Sequence, residues 1–282
     1  MSLQPYWSIL VTPEENLPHS SFSILHYSAF SIPDLDRQIE LLRLPLDDPD
    51  VEVSLMDLAR LEDAESAAAR FLTPKERDEY LGLRHPGRRR EWLAARVCLK
   101  AMLIRRGCIS DPIQCEISKD ARGRPKLSFP PAHSVGQQAC PTDGRPRTAV
   151  HDCSLSHKGD FACACASSLP KTRVGVDIER ASPRLLRLAG AFVTDRDKLI
   201  AERPPEVRLA VLWSLKEAYT KAVGEGLGIA LADVICEETA EGRHYVRIKD
   251  GPVCRARHLI HEGYAIALCL LNEDDKEPHR WQ

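Results

Sequence analysis

Apolar and polar positions follow no clear period before residue 50, and beyond it they fall into short blocks of two kinds. Residues 51–55 read as a strand. Thr73-Pro74 opens a helix, with the threonine as N-cap and proline at the first helical position. Trp92, Leu93, Val97, Leu99 and Leu103 recur at helical spacing through residues 91–104, an amphipathic helix entered from a basic turn at Arg88, Arg89 and Arg90. Residues 161–167 and 174–178 read as short buried strands joined through Leu169-Pro170-Lys171. A long helix is predicted over 205–223. The chain closes on strands at 245–248, 253–260 and 264–271, the last two joined by His261-Glu262-Gly263 as a hairpin. Strands and helices are interspersed in two groups that meet near Pro170, which predicts an α+β fold rather than the regular alternation of a doubly wound sheet. The expected organisation is a loosely ordered extension over 1–49, a first half over 50–170 and a second half over 171–282. The stretch 128–150, with four prolines and two glycines, reads as a surface insertion within the first half.

Composition narrows the class. The 282 residues are 43% hydrophobic and 28% charged with a net charge of −2, so the chain as a whole is not a polyanion binder. Its longest nearly continuous apolar run, 264–271, is strand-sized and far short of the roughly 18–20 residues that cross a bilayer. The first 36 residues hold no Lys or Arg, which argues against a secretory signal or a mitochondrial presequence. The expectation is a soluble cytoplasmic protein that meets no membrane. None of the ten cysteines forms a Cys-x-x-Cys pair; Cys153 with His151 and His157 is the only metal-like grouping, and buried reduced thiols account for the set better.

Three groups of residues carry candidate chemistry. In Gly175-Val176-Asp177-Ile178-Glu179, strand alternation puts Asp177 and Glu179 on one face and Val176 and Ile178 on the other. Two adjacent carboxylates repel unless a cation lies between them, and Mg²⁺ held by carboxylates with its other positions left to water and phosphate suits them. By itself such a pair is more often a solvated rim. In Trp213-Ser214-Leu215-Lys216-Glu217-Ala218-Tyr219-Thr220-Lys221, ending at Gly224-Glu225-Gly226, Glu217 and Lys221 are an i,i+4 acid–base pair. This is either a helix-stabilising ion pair or a third metal carboxylate beside a phosphate-facing cation. The third group is Asp120-Ala121-Arg122-Gly123-Arg124-Pro125, whose glycine permits a tight turn presenting two arginines, followed by Ser154-Leu155-Ser156-His157 at the end of a loop. The basic helix favours a phosphate site, although a solvated face explains it nearly as well.

Taken in order, these motifs resemble the 4′-phosphopantetheinyl transferases, specifically the large, surfactin-synthetase-activating type, over roughly residues 51 to 271. Gly175 to Glu179 and Trp213 to Gly224 are the most specific elements. The resemblance implies a single-chain, monomeric pseudo-dimer of two similar α+β halves with the active site in the cleft between them. It further implies transfer of 4′-phosphopantetheine from coenzyme A to a serine of an apo acyl or peptidyl carrier protein, with release of 3′,5′-ADP. By the same resemblance Asp177, Glu179 and Glu217 hold Mg²⁺. Arg122, Gly123, Arg124, Ser156, His157 and Lys221 hold coenzyme A, with His157 near its 3′-phosphate. Glu217 is the candidate base for the carrier serine, Lys221 the candidate donor to the departing oxygen, and His157 is counted with them in the catalytic set. The chain departs from the family pattern at Ser154, where asparagine is common, at Glu76 and Glu79, where basic residues are, and at Asp197, where glutamate is frequent. A non-catalytic coenzyme A-binding relative is the main alternative. A metal-dependent nucleic-acid enzyme is disfavoured by the near-neutral charge and the lack of an aromatic-interleaved basic groove, and an ATPase by the lack of a Walker-type loop.

Overall fold

A computed structural model describes residues 41–45, 50–61, 63–129, 149–199, 203–225 and 228–272. Most of the expected extension and insertion therefore lies outside the described residues.

The first half runs β1 (Leu41–Arg43), β2 (Val51–Asp57), α1 (Ala64–Phe71), α2 (Pro74–Gly82), α3 (Pro86–Arg105), β3 (Glu116–Lys119), β4 (Pro125–Ser128), β5 (Asp152–Lys158) and β6 (Phe161–Ser167). The second runs β7 (Thr172–Arg180), α4 (Pro183–Leu188), α5 (Pro205–Val223), β8 (Ile235–Glu238), β9 (His244–Arg247), β10 (Cys254–His261) and β11 (Tyr264–Asn272). The sheets are antiparallel, in the orders β1-β2-β6-β5 and β7-β11-β10-β9-β8, with β3 and β4 forming a separate hairpin. The order β2-β6-β5 repeats as β7-β11-β10, so the molecule is α+β and built from two similar halves.

The central strands show why each half forms. In β6, Ala162, Ala164 and Ala166 face α3, while Phe161, Cys163 and Cys165 face the other sheet. In β11, Ala265, Ala267 and Cys269 face α5, while Tyr264, Ile266 and Leu268 face the other sheet. Small side chains let each helix lie close on its sheet. The larger ones, with Val51, Val53, Leu55, Val174, Val176 and Ile178, form a third core shared by the two sheets.

A buried lysine repeats as well. Lys100 on α3 donates to Phe71 O (2.8 Å) and pairs with Glu76 (2.6 Å). Lys216 on α5 donates to Phe192 O (2.6 Å) and pairs with Asp197 (2.9 Å). Each acid caps the Thr three residues earlier, at Thr73 N and Thr194 N, and accepts a strand N–H with its other oxygen, from Ile117 and Cys236. Glu76 and Asp197 are therefore the structural acids of Phe-x-Thr-x-x-acid repeats.

Three sequence expectations change. Ser156 and His157 lie inside β5, not at the end of a loop. Arg88 to Arg90 belong to α3 itself, which begins at Pro86 with His85 as N-cap. Residues 41–43, assigned to the loosely ordered extension, form a strand paired with β2.

Candidate active site

The site forms where β5, the edge of the first sheet, lies against β7, the edge of the second. Instead of a backbone ladder, alternate side chains of β5 reach β7. Asp152 Oδ2 accepts from Val174 N (2.7 Å), Ser154 Oγ accepts from Val176 N (3.1 Å), and Ser156 Oγ donates to Asp177 Oδ1 (2.8 Å). A β5 side chain thus orients the first of the candidate metal acids.

Helix α5 supplies the rest. A Cβ on Gly175 would stand 1.9 Å from Ala218 O and 2.6 Å from Ala222 N, so only glycine lets α5 come this close to β7. One helical turn on the same face presents Glu217 and Lys221. Lys221 Nζ donates to Asp177 Oδ1 (2.7 Å), Val176 O (3.0 Å) and Leu155 O (3.3 Å), which engages all three ammonium protons across the β5–β7 junction. Asp177 is 6% exposed, and its Oδ2 is buried with no hydrogen-bond partner among the described residues. An ionised oxygen without a donor is costly unless a cation or water meets it.

The other acids point to the same place. Burial raises the pKa of Glu217, and the charges of Asp177 and Glu179 raise it further. Burial likewise raises that of Glu179, against the pull of Lys158, and Asp177 adds to the rise. The three carboxylates are within electrostatic reach of one another, an arrangement that suits a divalent cation in kind. In pose they are not closed on one point. Among the described residues no group of three or more such side chains stands ready to ligate a metal. The reason is local: Ser156 and Lys221 take one oxygen of Asp177, and Lys158 Nζ pairs with Glu179 Oε1 at 2.8 Å.

His157 faces away from these acids, towards α3, where its Nδ1 lies 3.3 Å from Glu91 Oε2. Burial first, then the charges of Arg88, Lys221, Lys119 and Lys158, pull its pKa down to about 4. These four positive charges outnumber the Glu91 carboxylate beside the imidazole, an electropositive cradle that suits an anion. Arg124 is engaged elsewhere: its guanidinium donates to Lys221 O and, at 2.7 Å, to Ala222 O, and pairs with Asp152 at 2.5 Å. It caps the end of α5 and ties both halves together, leaving no open fork for a phosphate. Gly123 has φ of 84°, the left-handed conformation the turn requires, and Arg122 stands exposed on that turn. The basic helix contributes less than its composition suggests. Arg89 and Arg90 bind backbone carbonyls of Leu83 and Leu58, and Arg96 lies buried on the Trp92 ring. Beside Glu91 opens a cleft of about 590 Å³, lined by Leu58, Arg90 and Phe161 from the first half and Arg180 and Tyr264 from the second.

The sequence reading named neither Lys158 nor Lys119 for the site. Reading 152–158 as a strand would have exposed Lys158, since alternation places it with Ser154 and Ser156 on the side facing the acids. The cysteine–histidine metal grouping does not form: Cys153 is buried in the first core with its thiol pushed far up by burial, and all nine described cysteines are buried.

Two α+β halves with acids and bases at their junction define a class, and comparison with known proteins identifies it. A family model described as the 4′-phosphopantetheinyl transferase superfamily matches residues 173–269. The 4′-phosphopantetheinyl transferase HetI of Nostoc sp. (strain PCC 7120) is 30% identical over 202 residues, covering 68% of this chain and 71% of that protein. The 4′-phosphopantetheinyl transferase psf-1 of Bacillus pumilus is 30% identical over 122 residues, 41% of this chain and 51% of that protein, so the chain spans about half of its length. Among solved structures, the holo-[acyl-carrier-protein] synthase of Thermotoga maritima matches at 22% identity and TM-score 0.32 over 55% of this chain and 78% of that one. The chain belongs to the 4′-phosphopantetheinyl transferase superfamily.

Proposed function

We propose that this protein transfers 4′-phosphopantetheine from coenzyme A to a serine of an apo acyl or peptidyl carrier protein. One observation carries the reading: the buried Asp177, whose Oδ2 has no partner among the described residues, lies within electrostatic reach of the half-buried Glu179 and Glu217, beside a cradle of basic groups. Family membership supplies the reaction class. Asp177, Glu179 and Glu217 are the residues that would hold Mg²⁺, which when bound screens the charge of the pyrophosphate.

In this reading the cations around His157 receive the phosphates of coenzyme A. Arg88, Lys119 and Lys158 supply charge, and Arg122 stands at the rim. The carrier serine oxygen forms a bond to the phosphorus bearing pantetheine, and the bond from that phosphorus to the 3′,5′-ADP oxygen breaks. Glu217 takes the serine proton. Lys221, assigned from sequence as proton donor to the leaving oxygen, has every proton engaged and acts here as the positioning residue of Asp177. Because one chain carries both halves, a monomer suffices for a complete site. Among the described residues no helix is long and apolar enough to cross a membrane, and cysteines buried as small apolar side chains fit a reducing, cytoplasmic setting.

Mass spectrometry of several apo carriers incubated with the protein, coenzyme A and Mg²⁺ tests the assignment. A phosphopantetheine mass gain that disappears with EDTA is expected. Coenzyme A binding with no gain on any carrier would favour a non-catalytic relative.

A further inference from the structure

Lys158 connects the two parts of the site. On β5 it follows His157, and by alternation the two side chains leave opposite faces of the strand. Its ammonium pairs with Glu179 Oε1 at 2.8 Å, where Glu179 is 12% and Lys158 37% exposed. Glu179 lies two residues after Asp177 on the same face of β7, so Lys158 holds one of the carboxylates a divalent cation would need. The side chain is also long, flexible and partly in solvent, and it contributes to the positive potential at His157. It can therefore leave the acids without leaving the site. When it leaves, Glu179 is freed, and the cradle gains a mobile cation.

We infer that Lys158 is an internal competitor for the divalent cation and makes cation and coenzyme A binding depend on each other. This rests on the function proposed above and adds the regulation of its site. Without an anionic ligand, the Lys158–Glu179 pair opposes cation binding, because a divalent ion must displace an ammonium already neutralising one carboxylate. With coenzyme A present the ammonium has phosphate oxygens to pair with, Glu179 is released, and the cation binds more tightly. By linkage the cation strengthens coenzyme A binding by the same factor. Lys221 does not share this role, since its three contacts fix it between β5 and β7.

Electron paramagnetic resonance of free Mn²⁺ measures the coupling with no carrier present and no turnover. The expected wild-type result is weak Mn²⁺ binding alone and binding about tenfold tighter with saturating coenzyme A, within the usual range of coupling between sites. Lys158→Gln keeps the stem but removes the charge. In that variant Mn²⁺ should bind several-fold tighter without coenzyme A, and the coupling factor should fall to the smaller value that direct attraction between cation and pyrophosphate supplies. Lys158→Arg should preserve the coupling. Equal coupling factors in wild type and Lys158→Gln, with matching melting temperatures, would overturn the inference while leaving the metal site standing. Failure of wild type to bind Mn²⁺ even with coenzyme A would overturn it together with the function on which it rests.

Discussion

Glu217 is half-buried on α5 with its carboxyl facing two other acids, and this predicts opposite effects on activity and stability. Replacing it with alanine removes the proposed base and should lower transfer by about 100-fold or more, the scale of general-base catalysis. The fold should survive. An acid whose folded pKa is raised costs stability as pH rises through that value, because the unfolded chain ionises more readily. Glu217→Ala should therefore melt no lower than wild type at neutral pH, and somewhat higher in metal-free buffer, as thermal denaturation will read. A parallel loss of melting temperature and activity would remove Glu217 from the mechanism. Three histidines act in the other direction. His157 and His244 are held at about 4 and His258 at about 3, in each case mainly by burial. His244 and His258 meet at 2.7 Å and Arg203 approaches His258 at 3.3 Å, while Glu238, 4.0 Å from His244 and already paired with Arg203, favours the proton less than burial opposes it. Between the ordinary imidazole range and these values the unfolded chain binds more protons than the folded one. Their contribution to stability is full above about pH 6.5 and declines as pH falls towards 4. Denaturant titrations across that window should show it, and a flat profile would contradict the burial assigned to these rings.

The contact between β7 and α5 is the element on which the site depends most. Gly175→Ala places a carbon 1.9 Å from Ala218 O, a backbone atom that cannot swing aside. The helix must retreat, taking Glu217 and Lys221 away from Asp177. Destabilisation of about 3 kcal/mol is expected, the upper end for overpacking, and circular dichroism melts will measure it. The same contact marks what could be read in advance. The acids of β7, the helix of 205–223 and the β10–β11 hairpin follow from alternation, helical spacing and a glycine turn, all of them local signals. The short strands β3, β4 and β8 carry few apolar residues and gain order mainly from their neighbours, so no period announced them. Strand β5 was missed for a different reason: Ser154, Ser156 and Lys158 are polar because they face the partner strand and the site, and a polar face looks like a loop. Arg124 misled in a similar way. Its sequence setting suggests a phosphate fork, but the carbonyls at the end of α5 lie about a hundred residues away in the chain, as seen in the Arg124–Ala222 separation of 98.

At the scale of the molecule, the halves share too much to unfold apart. Their sheets bury a common core in which Val53, Leu55 and Cys163 from the first meet Val176, Ile178 and Ile266 from the second. At the edge of that core, Asp152 accepts from Val174 N at 2.7 Å and pairs with Arg124, which in turn caps α5. One carboxylate thus serves a strand of the second half, an arginine of the first and, through it, the end of α5. Removing it leaves Val174 N without its acceptor and the guanidinium without its counter-charge, and truncating one partner of a buried charge pair costs about 3–5 kcal/mol. Asp152 is partly exposed at 18% of its side chain, so the lower end applies to Asp152→Ala. Because the core is common, that loss should lower the melting temperature of the whole molecule without splitting the transition, and calorimetric and van't Hoff enthalpies should agree in both proteins. Two separated transitions in the variant would mean that each half holds its own fold and that the junction, where all the proposed chemistry resides, is only a contact between finished domains.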